Sequence, residues 1–131
     1  MCAAISNKTN LTKETRSLQI FLRDKNIIET HAHPDFHDSI GIEEAIENFQ
    51  TIKELCNPET RILVIMSNGK FTLEARKYYG DCPPVAKKIA IVPADIFNVI
   101  GGNFFLKFYQ PKVPTKMFKD KEEAKVWLLE H

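Results

Sequence analysis

The chain predicts an α/β fold: a mixed β-sheet of about five strands with about four helices, in the order ββαβαβαβα. Three observations lead there. Leu18 to His33 alternates apolar and polar residues around Asp24-Lys25-Asn26, the pattern of an antiparallel hairpin. Ile42 to Cys56 carries apolar residues at helical spacing. Beyond it, short apolar runs alternate with helical stretches, which makes the sheet mostly parallel after the hairpin, because parallel neighbours need crossover connections.

Residues 1–16 are rich in Asn, Thr, Ser and Lys without an apolar period and read as a flexible N-terminal arm, so order begins near Ser17. Leu18, Ile20 and Leu22 alternate with Gln19 and Arg23, and Ile27 to His33 returns as the second strand. Ile42, Ala45, Ile46, Phe49, Ile52 and Cys56 share one helical stripe, with Glu43, Glu44, Glu47 and Lys53 opposite. Its acidic first turn suits the positive end of the helix dipole, and Asn57-Pro58 ends it because the proline ring disfavours helical geometry in the residue before it. Arg61 to Met66 opens a continuous apolar run, as in a strand covered on both faces.

Thr72 caps a short helix with Phe71, Ala75, Tyr78 and Tyr79 on its apolar face, ended at Gly80. Lys88 to Val92 is another buried strand. Asp95 caps a helix whose Ile96, Phe97, Val99, Ile100, Phe104, Phe105, Leu106, Phe108 and Tyr109 surround the axis instead of forming one stripe. Pro111 and Pro114 stiffen the return to a short strand, Thr115 to Phe118. Asp120 with Glu123 then forms an acidic variant of the capping box ahead of Ala124, Trp127 and Leu128.

With 131 residues, 44% hydrophobic and 27% charged, the chain has the composition of an ordinary globular domain. A net charge of +1 argues against a nucleic-acid partner, which calls for a strong basic field. Cys2, Cys56 and Cys82 are odd in number and lack metal-type spacing, as suits a reducing compartment. The start of the chain turns polar too soon for a signal peptide or membrane span, so the expected location is cytoplasmic.

Glu29-Thr30-His31-Ala32-His33-Pro34-Asp35-Phe36-His37 gathers three of the four histidines. On an extended strand Glu29, His31 and His33 fall on one face, and imidazoles with a carboxylate are good zinc ligands. Thr-His-Ala-His resembles the first strand of metal-dependent amidohydrolases, and His-x-His-x-Asp resembles the metallo-β-lactamase signature. The first family needs a barrel of roughly 250 residues, and the second wants His where Phe36 stands. A solvated strand face is therefore the expected reading, with no metal and no cofactor; His31 and His33 are the candidates for any metal that does bind.

Ser67-Asn68-Gly69-Lys70 follows a buried strand and leads into the helix capped by Thr72, where free backbone N–H groups suit an anion and ordinary capping is the competing reading. The run Thr72 to Tyr78, taken with Ile100 to Phe118, resembles small bacterial STAS-like proteins, relatives in fold of the anti-sigma factor antagonist SpoIIAA. The resemblance spans roughly residues 18–130 and implies a single STAS-like domain over 17–131, with helices mainly on one sheet face. Antagonists of that family carry a phosphorylated serine at the start of this helix. Leu73 and Glu74 stand at the matching positions, so the family hydroxyl is absent and Glu74 places a permanent charge there.

Gly101-Gly102 costs roughly 1 kcal/mol per residue in helix propensity, which asks for a packing or contact reason. STAS domains are typically non-catalytic, so the resemblance implies a non-enzymatic binding or regulatory module acting through protein contact. The candidate contact residues are Ser67, Thr72, Glu74 and Arg76 at the helix start, and Gly101, Gly102, Asn103, Phe104, Phe105, Lys107 and Phe108 in the aromatic segment. Its expected partner is a protein, a second copy of the chain included. Two alternatives stand beside it: a carrier of a small hydrophobic ligand under the aromatic helix, and a metal-dependent hydrolase built on His31, His33 and His37.

Overall fold

Alternating side chains in two adjoining stretches need a tight reversal, and Lys25 and Asn26 supply it with φ of 62° each, the left-handed region that lets the chain turn back. The computed structural model describes residues 11–66, 71–95, 100–103 and 112–130. The hairpin it contains is β2 (Leu18–Arg23) and β3 (Ile27–Ala32), joined through Asp24–Asn26. There follow α1 (Ile42–Leu55), β4 (Arg61–Ile65), α2 (Leu73–Asp81), β5 (Ile89–Val92), β6 (Thr115–Met117) and α3 (Lys121–Leu129). Residues 100–103 are also helical.

One expectation is corrected at the N-terminal side. Leu11–Glu14, read as part of a loose arm, forms β1, an edge strand antiparallel to β2. The sheet therefore has six strands, in the sequential order β1-β2-β3-β4-β5-β6. A polar edge strand needs no apolar alternation, because most of β1 is exposed and its holding contacts are polar. The Leu22 N–H donates to the Thr12 hydroxyl, and Lys13 reaches Glu54 of α1.

From β3 onward the neighbours are parallel, with Ile27 paired to Arg61, Ile62 to Ile89 and Ile89 to Thr115. Alternation then assigns the faces. Ile27, Leu63, Ala90 and Val92 pack with Ala124 and Leu128 of α3. Leu18, Ile20 and Ile28 pack on the other side with Ala45 of α1 and Ala75 of α2. Met117 is paired to Ile91, one residue out of phase with Ala90, so it and the 100–103 stretch it touches lie on the α1 and α2 side. Helices thus lie mainly on one face, with α3 alone on the other among the described residues.

Two helical details depart from the apolar pattern. On α1 the buried residues are Ala45 and Asn48, while Ile46 is exposed. On α2 the helix continues through Gly80 to Asp81 before Cys82 caps it. The last helix starts as its acids predict, with the Asp120 carboxylate accepting the Glu123 N–H at 2.8 Å.

Candidate functional site

The start of α2 is positioned by the segment just before α1. A parallel bridge between Ile40 and Phe71 and a bond from the Thr72 N–H to the Ile40 carbonyl fix the approach to this helix. The Thr72 hydroxyl accepts the Ala75 N–H at 3.2 Å, so it acts as the cap. Leu73 is 69% exposed, and Glu74 and Arg76 are exposed beside it. The first turn of α2 thus leaves a large apolar side chain in water. Ser67 lies outside the described residues.

In the second predicted region, Phe104, Phe105, Lys107 and Phe108 also lie outside the described residues. Gly102 and Asn103 prove to serve packing. A Cβ on Gly102 would run into the flexible end of the Met117 side chain, which would have to move aside, so glycine lets this helical stretch lie against Met117 of β6. The Asn103 amide donates to the Met117 carbonyl at 3.0 Å and accepts the Met117 N–H at 2.8 Å. This two-point clip satisfies outward-facing backbone groups of a strand at the sheet edge. Gly101 is exposed, with open space around it.

The histidine-rich strand holds a different arrangement from the one its spacing suggests. Glu29 and His31 share the α3 face of the sheet, but His33 lies past the end of β3. The His33 Nε2 meets Glu14 at 3.0 Å and its Nδ1 accepts the Asp35 N–H at 3.2 Å. His37 is exposed. Among the described residues no group of three or more His, Cys, Asp or Glu side chains is placed to hold a metal ion.

Glu29 is fully buried, and three basic side chains converge on its carboxylate. His31 Nε2 lies 2.6 Å and Lys121 Nζ 2.9 Å from Oε2, while Arg23 Nε lies 3.3 Å from Oε1. Burial alone would push the Glu29 carboxyl up, but hydrogen bonds from His31, Lys121 and Arg23 outweigh it and hold the group well below the usual carboxylate range. An ionised carboxylate only accepts, so the His31 Nε2 carries the proton and donates. Phe21, paired across from Glu29, completes the cluster: the Arg23 guanidinium lies 4.7 Å from its ring and the His31 ring meets it edge-on at 5.5 Å. The sequence put Glu29 and His31 on one face, but Arg23 from the other hairpin strand and Lys121 from the start of α3 carried no signal.

A second buried polar group binds the hairpin to the helices. Asn48, fully buried, accepts from the Thr15 and Ser17 hydroxyls and donates to Ser17 Oγ at 2.9 Å and to the Tyr79 hydroxyl at 3.3 Å. Burial pushes the Tyr79 phenol up to about 12, although its bond to Asn48 opposes the shift.

The profile of a domain of unknown function, DUF7793, matches residues 20–131. The chain belongs to the DUF7793 family. Among solved structures, this DUF7793 domain is similar to an uncharacterised DUF3478-family protein with a SpoIIAA-like fold from Shewanella loihica PV-4. The likeness has a TM-score of 0.60 at 17% identity and covers 90% of this chain and 98% of that one. That supports the STAS-like, SpoIIAA-like fold read from the sequence. A protein of unknown function from Arthrobacter sp. FB24 shares 22% identity over 86% of this chain and 99% of its own, with a TM-score of 0.31. No curated protein matches. Among the described residues no helix is long and apolar enough to cross a membrane.

Proposed function

We propose that this DUF7793 protein is a non-enzymatic cytoplasmic module that works by contact with another protein surface, a second copy of the chain first among them, without a phosphorylation switch. The exposure of Leu73 supports this reading most strongly: a leucine 69% exposed at the first turn of α2 leaves apolar surface in water that a partner would cover. Ile100, 64% exposed on the helical stretch that follows the neighbouring strand β5, adds to it. Thr72, whose hydroxyl is engaged as the cap, is a poor substitute for the missing serine.

The test compares wild type with Leu73→Glu and Ile100→Glu by sedimentation equilibrium over a range of protein concentrations. Both positions are exposed, so the variants should keep the fold while shifting the association equilibrium toward monomer. Identical association behaviour in all three proteins would contradict the reading.

A further inference from the structure

We propose that Arg23, His31 and Lys121 form a binding site for an oxyanion, a carboxylate or phosphate group, on the α3 side of the sheet beside β2 and β3. The site is separate from the α2 start and rests on other residues. Its base is Glu29, fully buried beneath the three side chains, which are themselves 30%, 35% and 39% exposed. The carboxylate takes up only part of what they offer. Arg23 gives its Nε to Glu29, leaving both terminal nitrogens of the guanidinium without a partner among the described residues. Lys121 spends one of its three donors on Oε2, the same oxygen that His31 holds, which keeps the ammonium beside the imidazole.

Charge and order both favour an anion. Two permanent cations meet one carboxylate, so the cluster keeps a positive excess on its solvent side before His31 is counted. A latch for α3 would need only Lys121 and Glu29; the stacked guanidinium and the edge-on imidazole exceed that need. Phe21 holds the guanidinium and the imidazole in place, and donors fixed in advance bind without a further loss of side-chain freedom. Glu14, another acid on this side, is already engaged by His33 and Gln19.

The experiment is a titration of the isotope-labelled full chain followed by two-dimensional NMR. Inorganic phosphate is used in one arm, acetate in a second, and sodium chloride at matched ionic strength as the baseline. Saturable shifts centred on Phe21, Arg23, His31 and Lys121 are expected, and the anion that saturates at the lower concentration identifies the ligand chemistry. Lys121→Met should weaken binding roughly tenfold, as loss of a charge-assisted hydrogen bond does. Arg23→Gln reads the same loss from another element if the first variant folds poorly. Shifts that stay linear and match chloride, or saturable binding unchanged in both cation variants, would overturn the site.

Discussion

Replacing Glu29 with Gln keeps the size of the side chain and removes its charge, which isolates what the buried carboxylate contributes. Removing one member of a buried ion pair costs roughly 3–5 kcal/mol when the remaining charge stays out of water. Arg23, His31 and Lys121 are 30%, 35% and 39% exposed, so they regain hydration in part. The expected loss is accordingly about 2–3 kcal/mol. Lys121 raises the cost, because it is the first residue of α3 and a cation there opposes the helix dipole once its counter-charge is gone.

Urea unfolding reads this loss as a lower midpoint at unchanged slope. The pH dependence gives an independent sign. The folded-state pKa of Glu29 lies below the ordinary glutamate value of 4.5. Its contribution is therefore fully present above pH 4.5 and drains away as the pH falls below it. Wild type should lose its advantage over the Gln variant across that acid range. A variant as stable as wild type at neutral pH, with a parallel profile in acid, would refute the account of the cluster.

Other perturbations follow from the same structure. Asn48→Ala removes a hydrogen-bond partner from each of the Thr15, Ser17 and Tyr79 hydroxyls and should cost about 3 kcal/mol in urea unfolding. Tyr79, ordinarily at 10.0 and here raised to about 12, stabilises the fold while neutral; stability should fall as the pH rises above 10.0, and Tyr79→Phe should remove that segment of the profile. Asn103→Ala opens the two-point clip on β6, so the Met117 amide should exchange with solvent faster, at a cost of about 1–2 kcal/mol.

The legible parts of the fold were those where one local rule dominates. Proline after Asn57, the Asp24-Lys25-Asn26 turn, the Thr72 and Asp120 caps and the apolar runs at Arg61 and Lys88 each act within a few residues, and their elements stand where the sequence put them. Residues 11–14 escaped because an edge strand held by polar contacts to Glu54 and β2 has no apolar signature. Asn48 escaped for a related reason: a polar residue on the buried face of α1 is stable only because Thr15, Ser17 and Tyr79, distant in sequence, supply its partners.

The site was legible in fragments. Strand periodicity placed Glu29 with His31, and His33, one residue past the end of β3, meets Glu14 on the same side instead of joining the cluster around Glu29. Arg23 and Lys121 could not be joined to Glu29 without the hairpin register and the position of α3 over the sheet. Gly101-Gly102 signalled a packing or contact reason; at Gly102 it is packing on Met117, while Gly101 has open space around it.

A native mass spectrum of the untagged protein, purified without chelator and set beside that of Leu73→Glu, tests the contact-module reading most directly. A dimer free of bound metal or organic compound, reduced to monomer by the substitution, is the predicted result. A monomer carrying one stoichiometric metal ion or organic ligand, unaffected by Leu73→Glu, would contradict it.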